Sequence, residues 1–159
     1  MAYRIRGLDR GPFEHLFALD DASLAQHRAR RVVASSDRGF PCRISLEDAC
    51  KGERLLLVHH VHNDVETPYR SAFAVYIRES ADKTAEYVDS CPPVFVGRPL
   101  ALRGFAADGT LADARLVEGD AADDTIRAMF ADAGIAYINA HNAAHGCFAA
   151  RIERHGAAA

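Results

Sequence analysis

The sequence predicts an α+β fold: a mainly antiparallel β-sheet built from hairpins, with two or three helices packed on one face. Two observations predict it. Strand-like runs outnumber helical ones, and the connections between them are mostly of hairpin type, clearest where Asp108-Gly109 separates two alternating apolar runs. A chain of 159 residues fits a single domain, 1–159, with residues 1–5 and 155–159 expected as frayed ends.

The elements follow in order. "YRIRGL" is strand-like, and "PFEHLFALDDASLAQHRA" then takes helical spacing, with Phe13, Leu16 and Phe17 on one face and Pro12 suited to a first turn. Asp20 or Asp21 is placed to cap a second turn, so one bent helix and two short ones are both open. "RRVVAS" reads as a strand, "SSDRG" as a polar turn, and "FPCRISL" as renewed extended structure. "SLEDACKG" has the ends of one helical turn, Ser45 as cap and Gly52 as stop. "ERLLLVHHV" is the most buried strand, and beyond the "NDVETP" turn "YRSAFAVYIRE" alternates as its antiparallel partner. Residues 80–99 are expected to be irregular, since Pro92, Pro93 and Pro99 argue against a central strand, and Tyr87, Val94 and Phe95 are expected to be exposed there. "LALRGFAADGTLADARLVEG" is a hairpin. "DAADDTIRAMFADAG" is a helix capped by Asp120, buried through Ile126, Met129 and Phe130, and stopped by Gly134. "AYINAHNAAHGCFAARIER" supplies the last two strands.

Bulk properties exclude several function classes. A net charge of -3 and a pI near 6.2 give no broad attraction to nucleic acid or anionic membrane, and no basic stripe with interleaved aromatics is present. No apolar run reaches the roughly 18 residues that span a bilayer. The N-terminus lacks a signal-peptide core, so a cytoplasmic chain with reduced thiols is expected. Cys42, Cys50, Cys91 and Cys147 form no C-x-x-C pair. Phosphate-loop, dinucleotide and nucleophile-elbow motifs are absent, so no cofactor is indicated.

Chemistry concentrates in three places. In the final hairpin, a three-residue loop of Ala144, His145 and Gly146 is the favoured register. It pairs Ala143 with Cys147, His141 with Ala149 and Asn139 with Arg151. A two- or four-residue loop instead pairs Asn142 with Cys147 and sends His141 to the other face beside Phe148. In "LVHHVHND", His60 and His62 share one strand face; two such histidines suit a metal only if Cys147 or His141 completes the set, and no metal is assigned. Arg43, Arg70 and Arg103 lie among apolar residues, where a half-buried guanidinium needs an internal acid such as Glu47 or Asp48, a set of carbonyls, or an anionic ligand. Cys42 or Cys147 with His141 and Asn142 has the residue types of a thiol nucleophile, its base and an orienter. The thiols are expected to be inert unless Arg43, Arg70 or a protonated His141 stands beside one, with Cys147 the foremost exception.

Read together, "GFPCRISLEDACKGERLLL", "TPYRSAFAVYIRE", "LALRGFAADGTLADARLVEG" and "AYINAHNAAHGCFAARIER" resemble a family of short bacterial proteins, domain of unknown function 1203. The resemblance runs over nearly the whole chain, from "YRIRGL" onward, and is most specific at "GFPCR", "PYR" and "HNA..GC". It brings no activity with it. It implies a shared polar pattern at Cys42, Arg43, His62, Tyr69, Arg70, His141, Asn142 and Cys147. "LVHHVHND" departs from the family's tyrosine-glutamate-histidine-like run, which sets His59 and His60 apart and leaves His62 as the better candidate.

The resulting expectation is a small-ligand pocket, with catalysis open. Cys42, Arg43, His62, Tyr69 and Arg70 would bind a small, anionic molecule, while Cys147, His141 and Asn142 would carry any chemistry. The alternatives are a non-catalytic module whose polar residues form an internal network, available to a partner or a homodimer, and a transition-metal or thiol site.

Overall fold

A computed structural model describes residues 1–156. Its nine strands are β1 (Ala2–Arg6), β2 (Ala29–Val33), β3 (Arg54–Asn63), β4 (Ser71–Arg78), β5 (Glu86–Val88), β6 (Pro99–Phe105), β7 (Leu111–Glu118), β8 (Tyr137–Asn142) and β9 (Phe148–His155). The two α-helices are α1 (Asp21–Gln26) and α2 (Ala122–Phe130), and short 3-10 turns cover Gly11–Leu16, Pro93–Phe95 and Gly119–Ala121. The expected antiparallel α+β fold is therefore observed, with its strands divided between two sheets. The larger runs β5-β1-β9-β8-β6-β7 and the smaller β2-β3-β4.

Each sheet organises its own core. On one face of the larger sheet, Ile5, Leu100, Leu102, Ile138, Ala140 and Ile152 pack against Ile126, Met129 and Phe130 of α2. Leu56, Val58, Val75 and Ile77 of the smaller sheet pack against Phe13, Leu16 and Leu24. Phe148 of β9 joins this second cluster and so binds the two sheets together.

Several expectations are corrected. Residues 1–5 are not frayed: β1 lies between β5 and β9, paired with both, because Tyr3 and Ile5 belong to the core. At the other end His155 still pairs with Ala2, and residues 157–159 lie outside the described residues. The region after Pro12 forms two short helices, with Asp20 accepting the Ser23 N–H at 2.8 Å as the cap of α1. "FPCRISL" and "SLEDACKG" make neither strand nor helix; the segment is held by isolated bridges of Pro41 to Asp48 and Cys42 to Tyr76. Residues 80–99 contain β5 and a 3-10 turn, and Val94 and Phe95 are buried in the larger core with Tyr87 packed beside them, so they offer no exposed docking surface. Asp120 makes no capping bond to α2.

The segment carrying Arg43 is clamped from beneath. Leu8 N–H bonds the Arg43 carbonyl at 2.7 Å and Arg43 N–H bonds the Tyr76 carbonyl at 3.0 Å. This close approach requires a glycine, since a Cβ at Gly7 would overlap the backbone carbonyl of Ile44. Gly7→Ala is expected to lower the unfolding free energy by about 1–3 kcal/mol in urea titrations, whereas Gly11→Ala, with open space around it, serves as the neutral control.

Candidate functional site

Arg43 sits at the junction of the two sheets and is 2% exposed. Its Nε donates to the Phe148 carbonyl at 2.7 Å, Nη1 donates to the Pro41 carbonyl, and Nη2 donates to the Cys147 sulfur at 3.2 Å. The acids expected to neutralise it are engaged elsewhere: Asp48 grips Arg98 with two bonds at 2.7 and 2.9 Å, and Glu47 lies 3.4 Å from Arg78. Among the described residues no carboxylate pairs with Arg43. Burial pulls its guanidinium below the usual value and the neighbouring Cys147 sulfur pushes it back up. Because an arginine keeps its charge at neutral pH, this is a buried cation whose nearest acidic group is a thiol.

The same sulfur accepts a second bond, from Asn142 Nδ2 at 3.3 Å. Cys147 and Asn142 line a cleft of ≈ 400 Å³ where the smaller sheet meets the β8–β9 turn. Leu57, Phe73 and Tyr76 form its apolar wall, while Arg43, Arg98 and His145 supply charge or polarity. A concave, mainly apolar site with a few convergent polar groups is the usual form of a small-molecule pocket.

The hairpin register that creates this arrangement combines both expected alternatives. Near the turn, Asn142 N–H bonds the Cys147 carbonyl and His141 pairs with Phe148, around a four-residue loop with Gly146 at φ +74. Further along, Asn139 pairs with Arg151, as the favoured register required. A bulge at Ala149 absorbs the one-residue difference.

His141 consequently stands apart from the cleft. It is 1% exposed, its Nδ1 bonds the Gly146 carbonyl at 3.1 Å, and its ring meets His62 edge-on at 5.0 Å between centroids. His62 stacks on Phe148 at 5.1 Å. A bulge at His62 turns the next residue, Asn63, inward as well, where its Oδ1 accepts from Tyr137 at 2.9 Å and Asn139 at 3.3 Å. Of the residues singled out from sequence, the structure thus groups Arg43, Asn142 and Cys147 at the cleft and His62 with His141 in a separate interior cluster. Cys42 is fully buried, its sulfur accepting from Ile44 and Arg78 N–H. Tyr69 is 41% exposed against Phe105, and Arg70, expected to be half-buried, is exposed and paired with Asp64 at 3.0 Å. Among the described residues no group of three or more His, Cys, Asp or Glu is placed to hold a metal ion. The wall residues Phe73, Tyr76, Arg98 and His145 were not anticipated; only His145, two residues from Cys147 in the turn, carried any signal in the sequence.

Burial, with positive charge from Arg103 and Arg43, pushes His141 down to about 4, and burial with the charges of His60 and Arg103 pushes His62 down to about 4. Both are therefore neutral in the folded protein at pH 5–6, while in the unfolded chain they take up protons below about pH 6.5. Stability is then full above that pH and falls as pH drops towards 4, by at most about 1.4 kcal/mol per pH unit for His141. Denaturation at pH 7, 6, 5 and 4.5 is expected to show this slope, and His141→Gln to flatten it even if the variant starts less stable. An unchanged slope in the variant would refute the assignment.

Residues 39–154 match the family model described as "Protein of unknown function (DUF1203)". The match leaves out β1, α1 and β2 but spans the cleft and the histidine cluster. Searches of curated proteins and of solved structures return no match. No helix among the described residues is long and apolar enough to cross a membrane. With about three-quarters of its length matched, the chain belongs to the DUF1203 family of proteins of unknown function.

Proposed function

We propose that the cleft binds a small ligand with an apolar body and an anionic head, and that Cys147 is the group able to react with it. The observation that carries this reading is the buried Arg43 guanidinium, which lacks a carboxylate and points Nη2 at the Cys147 sulfur. Two N–H donors, one of them charged, converge on that sulfur. Leu57, Phe73 and Tyr76 give the apolar body a wall, and the same positive field attracts an anionic head. The other cysteines lack this setting: Cys42 is enclosed, Cys91 sits beside Tyr3 and Asp123 with its thiol pushed up by burial, and Cys50 is exposed. The His62, His141 and Asn63 cluster supports a structural role for those residues, joining the sheets rather than meeting the ligand.

Alkylation tests the reading directly, since each event forms one S–C bond and releases iodide. Cys147 is expected to react about tenfold faster than the exposed Cys50, and faster with anionic iodoacetate than with neutral iodoacetamide. Asn142→Ala should slow it, Cys147→Ser should abolish it, and benzoate or hexanoate should protect it. Labelling of Cys147 no faster than Cys50, or only on unfolding, would end the proposal for the thiol. Reactivity without protection would end it for the ligand.

A further inference from the structure

We propose that β7 is a self-pairing edge and that two copies of this chain associate through it about a two-fold axis at Ala114. β7 ends the larger sheet, with β6 on one side and, among the described residues, no strand on the other. Gly119 N–H bonds the Arg98 carbonyl at 2.8 Å. Because bonded and non-bonded positions alternate along an antiparallel pair, Ala114, Leu116 and Glu118 turn their N–H and C=O groups away from β6. This free edge is a template for another strand. Beside it Leu116 is 76% exposed, the most exposed large apolar side chain among the described residues.

The residues of β7 are complementary to their own reverse. In "LADARLV", an antiparallel copy centred on Ala114 sets Asp113 against the partner's Arg115 and Arg115 against the partner's Asp113. A bulge at Ala112 ends the regular register there, so the matched part of the contact runs from Asp113 to Arg115, with exposed Leu116 beside it. Ala114 opposes itself, and its outward N–H and C=O exchange bonds with their own copies. Within one chain Arg115 Nε already bonds Asp113 Oδ2 at 2.9 Å, so pairing merges two ion pairs into a four-charge cluster. Such exposed charges add little affinity but fix the register; backbone bonds and Leu116 supply the attraction. A register shifted by two residues would set like charges or a leucine against the wrong neighbour.

Sedimentation equilibrium of the full chain over a concentration series tests this. A dimer is expected, weakened about tenfold by Asp113→Arg, which places two arginines opposite each other at both ends of the contact. The double swap Asp113→Arg with Arg115→Asp should restore it to within about threefold. Ala114→Pro, which removes an N–H that β6 does not use, should leave the circular dichroism unchanged and abolish pairing. Leu116→Lys, at an exposed position, gives the same readout without touching the backbone. A wild-type monomer at millimolar concentration would overturn the inference. So would a dimer unmoved by these variants, or a double swap no tighter than the single one.

Discussion

One guanidinium connects the parts of this molecule. Arg43 comes from a segment with neither helix nor strand geometry, yet it bonds the backbone of β9 through the Phe148 carbonyl and its own loop through the Pro41 carbonyl. Phe148 in turn places its ring against His60 and His62 of the smaller sheet. A lysine could not serve here, because an ammonium lacks the planar fork that reaches two carbonyls and a sulfur at once. The loop from Gly39 to Asp48 is secured around this point, with Asp48 accepting from Gly39 and Phe40 N–H while holding Arg98. The cleft exists because this loop and the β8–β9 turn are drawn to the same cation.

Much of the fold was legible wherever periodicity was strong. "ERLLLVHHV" and "YRSAFAVYIRE" form β3 and β4, Asp108-Gly109 turns β6 into β7, and Ile126, Met129 and Phe130 are the buried face of α2. These regions share an alternation or spacing sustained over several residues, which local sequence reports well. The partition into two sheets was not legible, since nothing in one strand says which other strand it will pair with at long range. "YRIRGL" reads as a strand, but its firm docking was not legible for a related reason: this short terminal run pairs only with strands eighty or more residues away.

At the site, the limits of sequence reading have a local cause. Both polar clusters lie at bulges, at His62 in β3 and Ala149 in β9, and one extra residue reverses every face assignment beyond it. Period-two reasoning therefore picked out the polar residues of the final hairpin but could not divide them between compartments. The pairing of Asp48 with Arg98 was equally hidden, because fifty residues separate the partners. Its effect is what leaves Arg43 without an acid.

The separation of His141 from Asn142 gives β8 the role of a partition. Adjacent residues on one strand serve different rooms: the histidine opens inward to His62 and Phe148, the asparagine outward to the sulfur and the cleft. Hydrogen bonds join the two through the turn, where His141 engages the Gly146 carbonyl, and through Arg43, which donates to both the Phe148 carbonyl and the Cys147 sulfur. The histidines behind the acid sensitivity are thus held in the interior while the sulfur faces the cleft, and the Arg43 charge is felt by both. The alternation of a single strand thus divides two chemical settings within a chain of 159 residues.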